Sequence, residues 1–456
     1  MLKSKVAVQV TSPGILPDDV VMLGDAYLKP WKIPQGQPVT LKFGAMRQPV
    51  KVVAVEKFDG MRISQSLARR MGILAGCQLR LQYRSVGAVL ALGPLIGVLI
   101  SRDDPSMPEK PFGSITMFCK ELVDASAVYG AHVYFFTPEG IGSSHQHVEG
   151  WVYAGGWRKI AVPAADVISN RLTSRKLENK PSVQHFFREV KLRHGTSVFN
   201  EKFLDKPEVF EALGRDRALV KYLPESHVLR NYTMLKSMCS KYSTVFLKPV
   251  RGSLGKGIIR ITRLDQENFV AHHANVGGTR KQHFTNLAKL FSSISGKMKS
   301  VRYQIQQGLH LIDIGGRPVD FRALVQKNEQ GKWSMTSIVA RTAGSHHFVS
   351  NLARGGTLST VKEAVAKSNL SSAQGHDASA RLQRAALDIA QGIDTHIPAH
   401  FGELGIDLAI DTNGRVWLLE VNSKPSKNDN TPLQPDQKIR PSVRNLIRYA
   451  RHLAEF

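Results

Sequence analysis

The stretch Gly405-Ile-Asp-Leu-Ala-Ile-Asp-Thr-Asn-Gly-Arg-Val-Trp-Leu-Leu-Glu-Val-Asn422 predicts two β-strands around a tight turn. Asn-Gly between apolar runs is typical of a type I′ turn, because both central residues of that turn need φ > 0. With Asn413 and Gly414 as the two loop residues, counting outward along the strands places Asp407 directly opposite Glu420. We therefore expect the Cβ atoms of the two carboxylates to lie about 4.5–5.5 Å apart.

Two carboxylates that face each other repel, so this pair needs a compensating positive charge. Asn422 follows Glu420 by two residues and shares its face, which adds an amide oxygen. Oxygen-only ligands suit a hard cation, and Asp407, Glu420 and Asn422 are therefore candidate ligands of Mg²⁺ or Mn²⁺. The alternative interpretation is an exposed hairpin with scattered charges.

The composition is that of a large, basic globular protein. The chain has 456 residues, of which 42% are hydrophobic, which is enough for several domains with full cores. The formal charge of +25 indicates attraction to polyanions, which include nucleic acid, acidic polymers and phosphorylated or polycarboxylate substrates. Lysine and arginine are dispersed, and no RNA-binding, zinc-finger or leucine-zipper pattern occurs, which disfavours specific nucleic-acid binding.

The cysteines and the termini bear on location. Cys77, Cys119 and Cys239 form neither a disulfide framework nor a metal motif, so we expect a reducing, cytoplasmic compartment. The N-terminal residues lack the apolar core of a signal peptide. The longest apolar run, residues 86–100, is too short and too broken by glycine and proline to span a membrane.

The pattern along the chain predicts three domains. Residues 1–85 contain short alternating strands and predict a small β-rich domain, for which a barrel is one arrangement. Residues 86–200 alternate strands with a helix and predict a parallel α/β sheet, without the glycine fingerprint of a dinucleotide site. Residues 201–456 alternate helices with strand pairs and carry the candidate chemistry. Within them, residues 271–300 are polar, basic and weakly periodic, so we expect a flexible excursion there; an amphipathic helix closes the chain.

A glycine-rich loop lies between two predicted strands in residues 245–261. Glycine at 252, 255 and 257 allows backbone amides to approach an anion closely, and Lys248, Arg251 and Lys256 add positive charge. The loop is not a Walker A motif, because Gly257 follows the Gly-Lys pair and both flanks are strands. An ordinary tight hairpin is the alternative.

Two further segments offer groups for an anion. In the predicted strand 318–325, Asp320 and Arg322 share a face, and an arginine fork can bind a phosphate or a carboxylate. In residues 350–356, Asn351 and Arg354 precede a glycine pair, which suits contacts to an anion. Each segment is weak alone, since an Asp–Arg pair is more often a structural salt bridge.

The order of these segments resembles the ATP-grasp superfamily over about residues 200–430. The segments that carry the resemblance are Asp205-Lys206, the strand and loop 246–257, Val319-Asp-Phe-Arg322, Asn351-Leu-Ala-Arg-Gly-Gly356, and Asp407 with Glu420-Val-Asn422. Val319–Arg322 and Asn351–Gly356 look like the amino-acid-adding ligases of the ribosomal-protein glutamylase and tubulin-tyrosine-ligase kind. Over the whole length, including Leu92–Gly97 and Phe199-Asn200, the chain is similar to the YheC/YheD endospore-coat-associated ATP-grasp proteins.

The resemblance implies an α+β fold and a set of roles. An ATP-grasp fold of two α+β subdomains would follow an α/β pre-ATP-grasp domain and the small N-terminal β-rich domain. Lys206 and Lys248 would contact the ATP phosphates, and Asp407, Glu420 and Asn422 would bind the metal. The remaining implied residues are a lid at Gly252, Ser253, Gly255, Lys256 and Gly257, an adenine hinge at Gln304, Gln306 and Gln307, and Arg322, Asn351 and Arg354 facing the γ-phosphate and the reacting carboxylate.

The implied activity is an ATP- and Mg²⁺-dependent carboxylate–amine or carboxylate–thiol ligase that acts through an acylphosphate. Its carboxylate and amine substrates are open; the positive charge favours an acidic peptide or a cell-wall or coat component, and the resemblance implies an association with the endospore coat. His272-His273 and His346-His347 are not required as ligands in such chemistry. The alternative is a non-catalytic coat protein, structural or polyanion-binding, that keeps an ATP-grasp fold.

Overall fold

A computed structural model describes residues 4–252, 256–275, 278–344, 356–426 and 439–456. The first of its sheets is a closed barrel with the strand order β1-β5-β2-β4-β3-β7-β6. The barrel elements are β1 (Lys5–Val10), β2 (Val20–Gly24), α1 (Asp25–Trp31), β3 (Pro38–Phe43), β4 (Met46–Val55), β5 (Met61–Ile63), α2 (Gln65–Arg70), β6 (Cys77–Arg84) and β7 (Val89–Gly93). The N-terminal β-rich segment is therefore a barrel, and it extends past the expected boundary at residue 85, because β7 completes it between β3 and β6.

The barrel contains an internal repeat of one strand–helix–strand unit. A shift of 40 residues relates β2, α1 and β3 to β5, α2 and β6. Buried apolar residues occupy matching positions in the two units, namely Val21 and Met61, Leu23 and Ile63, Leu28 and Ala68, Ile33 and Ile73, Val39 and Leu79, and Leu41 and Leu81. Apolar side chains of the two units thus fill equivalent places in the barrel core.

The two helices of the repeat also end in the same way. A residue with positive φ follows each helix: Lys32, directly after α1, has φ of 49°, and Gly72, two residues after the end of α2, has φ of 72°. In each unit the next backbone amide donates to the carbonyl five residues earlier, at 3.1 Å for Ile33 and 2.9 Å for Ile73. This closure is a common helix C-terminus that favours glycine at the left-handed position.

We expect the left-handed position to be a shared constraint. Gly72→Ala should lower the free energy of unfolding by about 1–3 kcal/mol, because its Cβ would meet Val162 and the left-handed backbone is strained. A Cβ built there lies 2.5 Å from Val162 Cγ1. The matched change Lys32→Gly should be neutral or stabilising by up to about 1 kcal/mol. Urea unfolding measures both; a neutral Gly72→Ala would contradict the expectation.

The second sheet is mixed, with the strand order β11-β10-β9-β8-β12-β13. The neighbouring strands β9, β8, β12 and β13 are parallel, as the sequence predicted, and β10 and β11 add an antiparallel edge. Its elements are β8 (Leu95–Leu99), α3 (Thr116–Tyr129), β9 (His132–Phe136), β10 (His147–Tyr153), β11 (Trp157–Pro163), β12 (Val167–Asn170), α4 (Arg175–Glu178), α5 (Pro181–His194) and β13 (Ser197–Phe199), with 3₁₀ turns at Gly113–Ile115 and Pro138–Gly140.

The third sheet has the strand order β14-β19-β15-β16-β17-β18 and is antiparallel. Its region comprises α6 (Lys206–Gly214), a 3₁₀ turn (Val220–Tyr222), β14 (Ser226–Val228), α7 (Tyr232–Lys241), β15 (Thr244–Pro249), β16 (Ile259–Arg263), β17 (Phe269–Asn275), β18 (Gly278–Phe284), α8 (Leu287–Met298) and β19 (Tyr303–Gln307). The flexible excursion expected over residues 271–300 is wrong, since most of it forms β17, β18 and α8. Phe269, Ala271 and Phe284 lie on the packed face of this hairpin, and on the other face basic residues alternate with the buried Val270 and Ala274, which conceals the apolar periodicity.

The fourth sheet has the strand order β23-β22-β21-β24-β25, with β20 paired to β21. Its region comprises β20 (Asp313–Ile314), β21 (Arg317–Lys327), β22 (Trp333–Thr342), β23 (Thr357–Ser359), α9 (Val361–Lys367), α10 (Ser372–Gly375), α11 (Ala378–His396), β24 (Glu403–Ile410), β25 (Val416–Asn422) and α12 (Pro441–Leu453). The predicted C-terminal helix is α12; its apolar stripe packs into the core of the second sheet beside α3, and the helix also contacts β21 and β22 of this sheet.

Two absences among the described residues bear on the sequence predictions. No helix in that part of the chain combines the length and apolar character needed to cross a bilayer. All three cysteines are free thiols, and burial raises the pKa of the Cys77 and Cys239 thiols to about 12.

Candidate active site

The hairpin of β24 and β25 places Asp407 directly opposite Glu420, as the sequence predicted. The turn that achieves this pairing is not the predicted one. Asp411 and Arg415 close a loop of three residues, and Gly414 takes the left-handed position with φ of 84°. The prediction of a two-residue type I′ turn is therefore wrong; the loop is of the three-residue kind, in which only the last residue needs positive φ.

A β-bulge then restores the predicted pairing. Leu408 pairs with Leu418 while Asp407 pairs with Glu420, so Leu419 is one extra residue in β25. Without this bulge, the longer loop would put Leu419 opposite Asp407. The bulge thus brings the second carboxylate back to the face of the first.

The side chain of Asp411 explains the longer loop. Its Oδ1 accepts hydrogen bonds from the amides of Asn413 (3.0 Å) and Arg415 (2.9 Å). Its Oδ2 accepts one from Trp417 Nε1 at 2.8 Å. An aspartate that bonds to the backbone two residues ahead is a known turn former, so this signal is present in the sequence.

Three charged residues form one row across the fourth sheet. Arg322 on β21 pairs with Asp407 on β24, which pairs with Glu420 on β25. The Arg322 guanidinium donates to both carboxylate oxygens of Asp407, at 3.0 Å for Nη2. This two-pronged contact is the geometry with which arginine also binds phosphate.

A second arginine completes the environment of Asp407. Arg341 on β22 lies 3.1 Å from Asp407 Oδ2, and its Nε donates to Asp320 Oδ1 at 2.6 Å. Burial alone would raise the pKa of Asp407, but Arg322 and Arg341 outweigh it and hold the pKa below its usual range. Burial alone would lower the pKa of Arg341, and the two carboxylates raise it instead. Both partners are therefore charged at neutral pH.

Glu420 has its own cation, supplied by a helix. Lys206 is the first residue of α6, and its Nζ lies 2.9 Å from Glu420 Oε1. The same Nζ donates to the carbonyl oxygen of Gly252 at 3.2 Å. A lysine at a helix N-terminus is unfavourable for the helix dipole, and Glu420 offsets that cost. The contact brings α6, the glycine-rich loop and the hairpin together.

Lys248 reaches the same place from β15. Its Nζ donates to Gln306 Oε1, and Gln306 Nε2 in turn donates to Ser226 Oγ at 2.9 Å. Loss of hydration lowers the pKa of Lys248 to about 8; Glu420 opposes this shift and Lys206 adds to it. Lys248 is therefore protonated at pH 7, but it titrates within reach of ordinary buffers.

The three glutamines and the glycine-rich loop lie around these residues. Gln304 and Gln306 are buried on β19, and Gln307 Oε1 accepts a hydrogen bond from the amide of Glu225 at 3.0 Å. Gln304 also lines a cavity of about 480 Å³ between α6 and β14. In the loop, Gly252 and Lys256 are exposed, and Gly257 has φ of 72°.

The structure therefore brings together the predicted charged residues Lys206, Lys248, Arg322, Asp407 and Glu420, with the predicted Gly252, Gln306 and Asn422 beside them. Ser253, Gly255, Asn351 and Arg354 lie outside the described residues, as do His346 and His347. His272 and His273 lie side by side on β17 and point to opposite faces of it. Sequence reasoning missed Arg341, because only the pairing of β21 with β22 shows that it lies opposite Asp320.

The donor set fits a hard divalent cation. Asp407, Glu420 and Asn422 bring two carboxylates and an amide to one end of the hairpin, and all three side chains are partly accessible. In the described part of the chain, no group of three or more His, Cys, Asp or Glu could hold a metal ion, so this candidate site depends on Asn422 as a third donor. Lys206, Arg322 and Arg341 already supply positive charge around the two carboxylates, which is the electrostatic role of a Mg²⁺ ion there.

A buried polar clamp, formed by Asn200, Glu178 and Lys424, holds the open end of the hairpin. Asn200 Oδ1 accepts from the amides of Gly402 (2.9 Å) and Glu403 (3.2 Å), while its Nδ2 donates to the carbonyls of Glu403 and Ser423. Asn200 has φ of 54°, which asparagine tolerates better than most residues. One side chain thus ties the start of β24 to the end of β25.

The ion pair of the clamp lies beside Asn200. Lys424 donates to Glu178, and their side chains are only 3% and 4% exposed. Burial lowers the pKa of Lys424 to about 8, although Glu178 opposes the shift. Glu178 belongs to α4, so the pair anchors the segment after Asn422 to the second sheet. The clamp therefore fixes the position of Asn422 relative to the rest of the site.

We expect Asn200→Ala to lower the free energy of unfolding by about 2–4 kcal/mol, because it leaves several buried backbone groups without hydrogen bonds. Asn413→Ala in the exposed loop is the matched control and should change it by less than about 0.5 kcal/mol. Urea unfolding of the full chain measures both. Equal effects of the two changes would show that Asn200 does not hold the hairpin.

Comparison with solved structures gives distant matches among ligases. A D-cycloserine synthetase, DcsG, aligns over 79% of this chain and 99% of its own, with a TM-score of 0.46 and 12% identity. D-alanyl-alanine synthetase A from Vibrio cholerae aligns over 79% of this chain and 98% of its own, with a TM-score of 0.46 and 12% identity.

Curated relatives are closer in sequence. Endospore coat-associated protein YheD of Bacillus subtilis is 30% identical over 358 residues, which cover 77% of this chain and 78% of YheD. Endospore coat-associated protein YheC of the same organism is 25% identical over 331 residues, which cover 70% of this chain and 88% of YheC. The family described as YheC/D like ATP-grasp matches residues 195–453, the segment that contains both carboxylates, both lysines and both arginines of the site. This chain belongs to the YheC/D-like ATP-grasp family.

Proposed function

We propose that this protein is an ATP- and Mg²⁺-dependent ligase that joins a carboxylate to an amine, or to a thiol, through an acylphosphate. One observation carries the proposal: Lys206, Lys248, Arg322 and Arg341, from four different elements, converge on the facing carboxylates Asp407 and Glu420. Membership of an ATP-grasp family supports it. Such a concentration of fixed positive charge around a metal-type donor set suits a triphosphate.

The chemistry follows from the weak reactivity of a carboxylate. An oxygen of the substrate carboxylate attacks the γ-phosphorus of ATP, the bond to the β-γ bridging oxygen breaks, and ADP leaves. The amine nitrogen then attacks the acyl carbon, inorganic phosphate departs, and the nitrogen loses a proton to solvent. Neither step needs a nucleophilic Ser, Cys or His, so the protein contributes charge neutralisation and alignment.

The described lysines and arginines can be given roles in this scheme. Lys206 and Lys248 hold the phosphates; on nucleotide binding, Lys206 exchanges Glu420 for a phosphate oxygen. Arg322 presents its fork to the transferring phosphoryl group, and Arg341 keeps Asp407 ionised and in place. Roles carried over from the family resemblance are the lid at Gly252–Gly257, the adenine hinge at Gln304, Gln306 and Gln307, and anion contacts from Asn351 and Arg354.

The metal has a defined place in the proposal. Asp407, Glu420 and Asn422 would hold Mg²⁺ or Mn²⁺, which, when bound, neutralises charge on the β- and γ-phosphates. The buried clamp keeps Asn422 beside the two carboxylates. The lid closes over the phosphates and excludes water, which would otherwise hydrolyse the acylphosphate.

We also propose a division of the chain and a location. Residues 201–456 would form the ATP-grasp domain, the second sheet with its helices the preceding α/β domain, and the barrel, which β7 completes, the N-terminal unit. Because YheD and YheC are named as endospore coat-associated proteins, we propose that this protein also associates with the coat.

A non-catalytic coat protein that binds polyanions is the second candidate, and the charge of +25 favours it. A thermal-shift assay separates the two classes. A ligase should be stabilised by ATP with Mg²⁺ at micromolar to millimolar nucleotide, since a ligand that binds only the folded state raises its stability. A polyanion-binding shell should respond to DNA or poly-glutamate and not to the nucleotide.

We expect Glu420→Gln to abolish ATP turnover while leaving the fold intact, because it removes one metal-type carboxylate and the partner of Lys206. The measurement is ADP release, with the thermal transition of the variant as the fold control. Thr412→Ala in the exposed turn of the same hairpin should retain turnover. ADP release by Glu420→Gln at the wild-type rate would contradict the assignment of Glu420 as a metal ligand.

We expect Lys248→Ala to weaken nucleotide binding about 10- to 100-fold, because a charge-assisted contact to phosphate is lost. The protonated amine binds phosphate and its pKa is about 8, so wild-type affinity should fall as pH rises above 8. Bound phosphate raises that pKa, which moves the fall to higher pH. Lys248→Arg should flatten the profile; titration calorimetry from pH 7 to 10 tests it, and an unchanged affinity in Lys248→Ala would remove this residue from the site.

The substrate question needs a direct screen. ADP release can be measured with single amino acids, acidic peptides and cell-wall fragments, each with and without hydroxylamine as a trap for the acylphosphate. A carboxylate that gives a hydroxamate identifies the activated substrate. ADP release that no carboxylate stimulates would favour a simple ATPase over a ligase.

A further inference from the structure

The third sheet, which carries Lys248, has an unusual share of positive charge on strands β16–β18 and helix α8. Residues 256–302 contain nine lysines and arginines against two acidic residues, Asp265 and Glu267. These residues form β16, β17, β18 and α8, which are ordered elements of the third sheet. The excess charge therefore belongs to a fixed surface rather than to a flexible tail.

Strand register collects part of this charge in one row. Arg260 on β16 pairs with His272 on β17, which pairs with Lys281 on β18. His283 lies two residues after Lys281 and therefore shares its face. We call these four residues, Arg260, His272, Lys281 and His283, the basic row.

The opposite face of the same strands is the packed one. Ile259, Ile261, Phe269, Ala271 and Phe284 bury that face together with residues of α7 and α8. On the face of the basic row, Lys281 and His283 are exposed and Arg260 and His272 are half-buried. Burial, and to a smaller extent the neighbouring Arg260 and Lys281, lower the pKa of His272 to about 4, so this imidazole is neutral at pH 7.

The basic row is continuous with the active site. Phe246 on β15 pairs with Arg260, and Lys248 follows Phe246 by two residues on the same face. Lys248 in turn lies near enough to Glu420 and Asp407 for both to affect its pKa. Three strand spacings separate β15 from β18, about 14–15 Å, which is the length of four or five residues of extended peptide.

We propose that the basic row is a binding surface for an acidic polypeptide, the substrate that presents its carboxylate to the site at Lys248 and Arg322. The direction in which the peptide is bound rests on the proposed function. The binding itself does not depend on it. Charge complementarity favours an anion, and strands β16–β18 offer no Phe, Tyr or Trp on this face for stacking nucleic-acid bases. Carboxylates of an extended chain can instead meet Arg260 and Lys281, which lie two strands apart with the neutral imidazole of His272 between them.

The test is binding of fluorescein-labelled hexa-L-glutamate to the full chain, followed by anisotropy without nucleotide. Lys281→Glu should weaken this binding about tenfold at low salt. Arg280→Glu is the matched control, because it reverses the same charge on the adjacent residue, which points to the opposite face. It should weaken binding less than twofold. Equal losses in the two variants would show a general charge effect and overturn the basic row.

A labelled single-stranded DNA of six nucleotides forms the second arm. Hexaglutamate binding that is tighter than DNA binding and sensitive to Lys281→Glu supports the proposal. DNA binding that is tighter and equally sensitive to Lys281→Glu would make the surface a nucleic-acid site and overturn it. Failure of hexaglutamate to bind would also overturn it.

The two proposals can fail separately. The thermal shift with Mg²⁺ and ATP should be the same for Lys281→Glu and the wild type, which also confirms that the variant is folded. If hexaglutamate binds the row but no carboxylate stimulates ADP release, the ligase proposal fails and the surface stands. If ADP release responds to other carboxylates while hexaglutamate does not bind, the basic row alone is wrong.

Discussion

Charge compensation of the facing carboxylates Asp407 and Glu420 is the constraint around which the site is built. Two like charges about 4 Å apart repel by roughly 4 kcal/mol at an effective dielectric constant of 20. The protein meets this cost with cations from separate elements, namely Arg322, Arg341, Lys206 and Lys248. Each of these elements is therefore drawn towards one end of the β24–β25 hairpin. The same arrangement that stabilises two facing carboxylates suits a metal-bound triphosphate, because both need dense positive charge beside oxygen donors.

The hairpin itself shows how local chemistry and packing combine to set that constraint. Asp411 bonds to the backbone of its own turn and lengthens the loop by one residue, and the bulge at Leu419 cancels the change before the strand reaches Glu420. The sequence predicted the pairing correctly from a turn that does not exist. The prediction of facing carboxylates therefore holds although the predicted turn type is wrong, because the longer loop and the bulge compensate for each other. The clamp at Asn200 then fixes the far end, so both ends of the hairpin are held by buried polar side chains.

Sequence patterns predicted elements whose apolar periodicity is local and missed features that depend on distant partners. The barrel strands, the parallel sheet and α12 followed from alternation or helical spacing. Arg341 could not be assigned, because its role depends on strand pairing over more than twenty residues. The basic strands β17 and β18 looked flexible because basic residues interrupt the apolar positions on both of their faces. The 40-residue repeat of the barrel is hard to detect in the sequence, because equivalent positions carry different residues. Lys32 and Gly72, for example, occupy the same left-handed position in the two units.

The charged residues of the chain differ in how far the stability of the fold accounts for them. Around the hairpin, cations and carboxylates are matched, and the Lys424–Glu178 and Arg171–Glu403 pairs extend this matching into the buried junction with the second sheet. Residues 256–302 make up about a tenth of the chain, yet they carry seven of its 25 excess positive charges. The like charges of Arg260 and Lys281 on one sheet face repel each other and weaken the fold slightly, so packing does not explain them. An anionic partner removes that repulsion when it binds, and the surface is adjacent to the one place where the chain is equipped to activate a carboxylate.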